Sequence, residues 1–459
     1  MNTTSSDPIN SSTVGMTMQP ENATAALDTA CAIHLEHGRY ELAMEFCQAS
    51  LAIKQATLQA RHLDMASSLC HVATVHYELG RYQQALESSE KALEIQILHR
   101  GRMDLDVAST LNYMGMAHEC LGHYNEAMTL WEESLAIKQQ LFPEDHSEIA
   151  KTLGNMGSLY AIQSQFEKAV PLHEEALRMN RAVFGNSHVR VANALNNMGV
   201  LMQMMRKPEE AKKLHEEALR IKQDTLGAQH PSVASTMENM GLLHRAQGEK
   251  DKALEYFEKS IQVKQAALGP EHPSLSSTCN NMGLVYRSQR RHDEALSMFL
   301  KSFRIKVAAV GPDHPQLAKN LGTLASAYHH QGRHHKALKL LEDKLRILKS
   351  VPEKKSVQQD RTSTLADIGK VHSAMGQYKE ALSAYQEALA ISRAMGNADN
   401  QHKTAPVLYR IGTLLMKQGK FQMAQESLQE CMEMIQNGGS ENMIQRCRDA
   451  LQRAERALQ

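Results

Sequence analysis

Asn155, Asn197, Asn239 and Asn281 follow one another at intervals of 42 residues. A primary amide carries both donor and acceptor, so a row of them can hydrogen-bond the backbone of an extended chain whatever its sequence. The same amides can instead bond the backbone of a neighbouring repeat, and spacing alone leaves both roles open. Arg245, Arg287 and His329 recur at the same interval, and Lys319, six residues before Ala325, should share their face. Cations alongside a line of amides suit an acidic peptide. Any one of them taken singly reads more readily as a solvated surface charge, and it is their recurrence in one column that favours the peptide role.

Other chemistries find less support. The 23 His include His329, His330, His334 and His335 in AYHHQGRHHKAL, where His330 and His334 have the i, i+4 spacing of a helical metal pair. Gly332 falls between them at a turn, and no nearby Cys or carboxylate completes a ligand set, so no metal is expected. His230, His272 and His314 precede prolines and should cap or pack at helix starts. The Met column at 114, 156, 198, 240 and 282 reads as core packing. Nucleophile-elbow, phosphate-loop and dinucleotide motifs are absent, and no strand pattern could bear one. The adjacent acids Glu174-Glu175 and Glu216-Glu217 diverge on a helix and make no acid/base pair. The expectation is a protein without catalytic residues and without a cofactor.

The 459 residues exceed a single ordinary core, which implies several domains or a repeat array. An apolar fraction of 42% with only 5% aromatic residues favours many small helix contacts over one large aromatic core. Basic and acidic residues both total 51, which argues against a nucleic-acid binder. That balance hides an asymmetry. Residues 21–150 hold 8 Lys and Arg against 19 Asp and Glu, whereas 283–355 hold 15 against 6. Head-to-tail self-association of these ends into a homo-oligomer is the second reading. No apolar run suffices for a bilayer, and the start MNTTSSDPINSSTVGMTMQP has no signal-peptide pattern, so a cytoplasmic chain with no membrane contact is expected. Seven Cys without a CxxC pair are then expected to be reduced, mostly packed thiols.

The elements that must position these residues emerge from self-similarity. Gly115, Gly157, Gly199, Gly241 and Gly283 form one column, continued by Cys31 and Ala73 before it and by Ala325, Gly369 and Gly412 after it. A second column twelve residues on holds Ala43, Ala85, Ala127, Ala169, Ala211, Ala253, Ala295, Ala337, Ala381 and Ala424. Each unit reads as two helices. In the seventh, Leu275, Cys279, Met282, Val285 and Tyr286 recur at helical spacing, a break follows at 289–291, and Ala295, Phe299, Phe303 and Ile305 form a second stripe. Small columns suit close helix crossings, and a lone hairpin must stack on neighbours to bury its face.

The pattern x-N-N-M-G-x-L-Y, with G-x-(Y/F)-x-x-A and A-L-x-I-K after it, resembles the tetratricopeptide repeat. The 42-residue period, with G-x-x-H-P-x-(V/L)-A joining units as at Gly227–Ala234 and Gly311–Ala318, is similar to the kinesin light chain type, which nephrocystin-type proteins share. The resemblance implies an all-α, right-handed superhelical solenoid of about ten hairpins over residues 23–437. Residues 1–22 are expected to form a disordered polar leader, and 438–459 a capping helix with Met443, Cys447, Leu451 and Leu458 on one stripe. It further implies that Asn155, Asn197, Asn239 and Asn281 look into a concave groove that takes extended peptides, with cytoskeletal association of the family kind. Kinesin light chains carry a heptad coiled coil before their repeats, in place of which this sequence has the short polar leader, so motor attachment by that route is not expected.

Overall fold

The computed structural model describes residues 20–58, 62–351, 353–395, 401–435 and 440–458. The expected leader therefore lies outside the described residues as far as residue 19, and the first helix begins at Pro20. Among the described residues there are helices and no strands. They fall into two compact units, residues 1–185 and 186–459.

The first unit is four antiparallel helix hairpins: α1 (Pro20–Glu36) with α2 (Tyr40–Thr57), α3 (Leu63–Glu78) with α4 (Tyr82–Arg100), α5 (Leu105–Cys120) with α6 (Tyr124–Leu141), and α7 (Ser147–Ile162) with α8 (Phe166–Phe184). The second unit has six. They are α9 (Val189–Met204) with α10 (Pro208–Leu226), α11 (Pro231–Ala246) with α12 (Lys250–Leu268), α13 (Ser274–Ser288) with α14 (His292–Val310), α15 (Ala318–His330) with α16 (His334–Ser350), α17 (Lys355–Ala374) with α18 (Tyr378–Ala394), and α19 (Gln401–Lys417) with α20 (Phe421–Ile435). A last helix, α21 (Glu441–Leu458), packs on α20. Within each unit the second helix of one hairpin packs on the first helix of the next.

The two small columns lie where each hairpin closes on itself. All ten alanines of the second column are buried. Opposite each first-column glycine stands the side chain sixteen positions later. A Cβ on Gly241 would come within 2.6 Å of the Phe257 ring, and one on Gly157 within 2.9 Å of the His173 ring. The glycine is thus a socket for a large side chain. Tyr385 faces Gly369 and Leu428 faces Gly412 in the same way.

The first hairpin fills this position differently. Cys31 and Cys47, sixteen residues apart, are joined by a disulfide between α1 and α2 with their Cα atoms 5.7 Å apart. This corrects the expectation that all cysteines are reduced: the socket and its knob have been replaced by one covalent bridge across the same close approach. Cys279, Cys431 and Cys447 are free and buried as expected.

Helix starts follow the linkers. The Nδ1 atoms of His146, His188, His230 and His314 accept from the backbone N–H two residues on, at 3.1–3.2 Å, as N-caps do. His272 accepts in the same way from Ser274. The turn between the two helices of a hairpin needs one residue with positive φ. Gly248 and Gly332 supply it in their repeats, whereas Ser164, Arg206 and Arg290 are held at φ of 59–61°.

Candidate functional site

In the second unit, α9, α11 and α13 pack on one another in succession. They carry Asn197, Asn239 and Asn281 in turn, with Arg245 and Arg287 in the last turns of α11 and α13. Asn239 donates from Nδ2 to Asn196 Oδ1 at 3.1 Å, and its backbone carbonyl accepts from Gln203 Nε2 at 3.4 Å. One repeat on, Asn281 donates to Glu238 Oε1 at 3.2 Å and accepts from Arg245 Nη1 at 3.2 Å. In the first unit Asn155 donates to Asn112 Oδ1 at 3.2 Å. Asn197 is exposed.

Three of the four amides therefore reach sideways to the residue three before the preceding repeat's glycine. This is the neighbouring-repeat role left open by spacing, but the acceptor is a side chain rather than backbone. It links Arg245 and Asn281 directly. Arg245, Asn281, Asn239 and Asn155 are all half-buried. Burial lowers the Arg245 guanidinium below its ordinary range.

Beneath these amides runs a buried polar ladder that sequence reasoning missed. Lys264, 3% exposed, meets Glu238 Oε2 at 2.6 Å and Thr278 Oγ1 at 2.9 Å. Lys222 bonds Thr236 Oγ1 at 3.0 Å, and burial pushes its ammonium down to about 8. In the first unit Lys138 bonds Thr152 Oγ1 at 2.9 Å and Lys54 bonds Asp28 at 2.8 Å. The signal was a lysine closing the apolar run of each second helix, in SLAIK at Lys54 and Lys138, ALRIK at Lys222 and SIQVK at Lys264, a cation on an otherwise apolar stripe. A buried cation must be paired or hydrogen-bonded, so the columns that face it are polar by necessity. Asn281 is anchored to one of those facing residues, Glu238, and Asn155 shares the Asn112 acceptor with Thr152.

Between α13, α14 and the start of α15 lies a cleft of about 430 Å³. Its walls include Asn280, Asn281, Lys306, Lys319 and Asn320. Two expected site residues, Asn281 and Lys319, thus share one polar opening. Arg287 and His329 end α13 and α15. His329 is half-buried, and its Nδ1 is buried without a hydrogen-bond partner. Burial, with Lys370, His334 and His330 adding to it, pushes its imidazole down to about 4.

Among the described residues no group of three or more His, Cys, Asp or Glu is placed to hold a metal ion. No described helix is long and apolar enough to cross a membrane.

Stacked hairpins with socketed glycines and a polar seam along their first helices define a helical-repeat scaffold. The chain belongs to the tetratricopeptide repeat family, whose model matches residues 22–97, 106–182, 190–266, 232–306, 274–350 and 360–437. Among solved structures it is similar to BtubC (BKLC) from P. vanneervenii, at 22% identity and a TM-score of 0.40, over 51% of this chain and 91% of that one. It is also similar to a protein of Podosopora anserina assigned as a kinesin light chain with nearly identical TPR-like repeats. There the identity is 20% and the TM-score 0.38, over 45% of this chain and 98% of that one. No curated protein matches the chain.

Proposed function

We propose that this chain is a non-enzymatic scaffold whose second unit captures extended acidic segments of partner proteins along the first helices of its hairpins. The observation that carries the reading is the cleft of about 430 Å³ lined by Asn281 and Lys319, with Arg245 held on Asn281 at its margin. In the free protein Arg245 donates to a neutral amide. A carboxylate arriving beside Asn281 offers the guanidinium a charge-assisted bond, worth about 1.5–3 kcal/mol against roughly 1 kcal/mol for a neutral one. Arg245 then turns to the ligand, and Asn281 Oδ1 is released to accept from the peptide backbone. Asn197 and Asn239 extend the backbone contacts, and Arg287, Lys319 and His329 extend the preference for acidic side chains. Asn155, in the first unit, offers the same half-buried amide edge to a peptide there. The family's fold supports protein binding as a class; the acidic preference rests on these cations.

The test is binding of an acidic peptide library to the intact chain and to the Asn239→Ala, Arg287→Glu double variant. The reading predicts at least tenfold weaker binding and a shallower salt dependence in the variant. Equal affinity and equal salt dependence would remove it.

A further inference from the structure

Four imidazoles meet where α15 turns into α16. The ring centroids of His329 and His334 are 5.0 Å apart, those of His329 and His330 5.8 Å, and those of His330 and His292 6.5 Å. The Nδ1 atoms of His329 and His334 are both buried with no hydrogen-bond partner. His292, His330 and Lys370 are exposed, so the cluster opens to solvent.

Its surroundings are of one sign. The charged and titratable groups bearing on His329 are Lys370 from α17, His334 from α16 and its neighbour His330. Those bearing on His330 are Lys370, Arg287 from α13 and His292 from α14. Burial is the first cause that opposes protonation of both imidazoles, and every one of these groups adds to it. The adjacent carboxylate, Asp293, accepts from Gln331 Nε2 at 2.8 Å. Two cations, Arg287 from α13 and Lys370 from α17, thus bear on imidazoles from α14, α15 and α16, and Asp293 beside them is held by Gln331, an arrangement that attracts an anion.

The geometry points to a phosphate monoester site, filled by a phosphorylated side chain of the acidic segment proposed above, whose binding draws protons onto the histidine cluster. It rests on that reading for the source of the phosphate. A single carboxylate can satisfy one of these cations. A monoester brings nearly two charges at pH 7 and three acceptor oxygens, which can engage Arg287, Lys370 and an imidazole together. An anion at this point reverses the field on His329 and His330, so imidazoles that are neutral at pH 7 take up protons as it binds.

Titration calorimetry of the intact chain with inorganic phosphate at pH 7, in two buffers of different ionisation enthalpy and at constant ionic strength, reads affinity and, once the protons that phosphate itself gives up on binding as the dianion are accounted for, proton uptake by the chain. The expected result is saturable binding with net proton uptake. Lys370→Ala, an exposed position, should weaken it at least tenfold, and His329→Gln should reduce the uptake. No binding, no proton uptake, or binding indifferent to Lys370→Ala overturns the site. A Glu/Ser peptide with and without one phosphoserine separates the two proposals. If both forms bind equally, the phosphate site fails and the acidic groove stands. If neither binds while inorganic phosphate does, the groove fails and the anion site stands alone.

Discussion

His173 shows how much one side chain in a repeat column can decide. It occupies the socket of Gly157 that Phe257 and Phe299 fill in later repeats, and burial pushes its imidazole down to about 4. Between roughly pH 6.5 and 4 the unfolded chain therefore binds a proton that the folded chain refuses, so stability is full above that window and falls as pH falls through it. The loss amounts to about 3 kcal/mol by pH 4. His173→Phe, the residue its own column offers, should flatten this acid limb. Trp131, the single tryptophan, is buried in the same unit and makes its fluorescence the natural readout. An unchanged pH profile in the variant would show that His173 is not held neutral. At this scale the sequence was legible where a residue repeats: the amide column and the histidine caps follow from spacing and neighbouring prolines. Cys31 and Cys47 were not, because a disulfide depends on two helices meeting. Only the fold shows that they occupy the same socket and knob positions as Gly157 and His173.

At the scale of the element, the hairpin is set by complementary sizes. Gly241→Ala places a methyl within 2.6 Å of the Phe257 ring, whose buried edge cannot retreat, and should cost about 1–3 kcal/mol. The third and fourth helices carry Ala73 and Ser89 at the corresponding positions, so the crossing tolerates a methyl when its partner is small. Gly241→Ala should then cost markedly less in a Phe257→Ser background than in the wild type. Denaturant unfolding of the four-member cycle measures the coupling, and simple additivity would contradict the socket account. Hairpin boundaries were readable because the small columns, the turn glycines and the linker prolines all repeat. The polar ladder was less so. A lysine at the end of SIQVK looks like a surface charge until packing shows Lys264 closed in with Glu238 and Thr278. Glu238, held by that lysine, is also the acceptor on which Asn281 leans in the preceding repeat, which spacing could not decide.

For the molecule as a whole, zero net charge conceals an acidic stretch over residues 21–150 and a basic one over 283–355. The basic stretch carries Arg287, Lys319 and His329, with Lys370 joining them from α17. Attraction of an acidic segment should therefore be a property of the second unit and should weaken with salt as exposed charges are screened. Period and composition revealed this polarity, but they did not show which side chains converge, since His292, His329, His334 and Lys370 are scattered over almost eighty residues and meet only through stacking. Hydrogen–deuterium exchange of the intact chain, with and without a saturating glutamate-rich peptide, tests the central claim most directly. The account predicts slowed exchange in α11, α13 and α15, diminished in the Asn281→Ala, Arg287→Glu variant. Protection confined to α10, α12 and α14, or to the first unit, would contradict it.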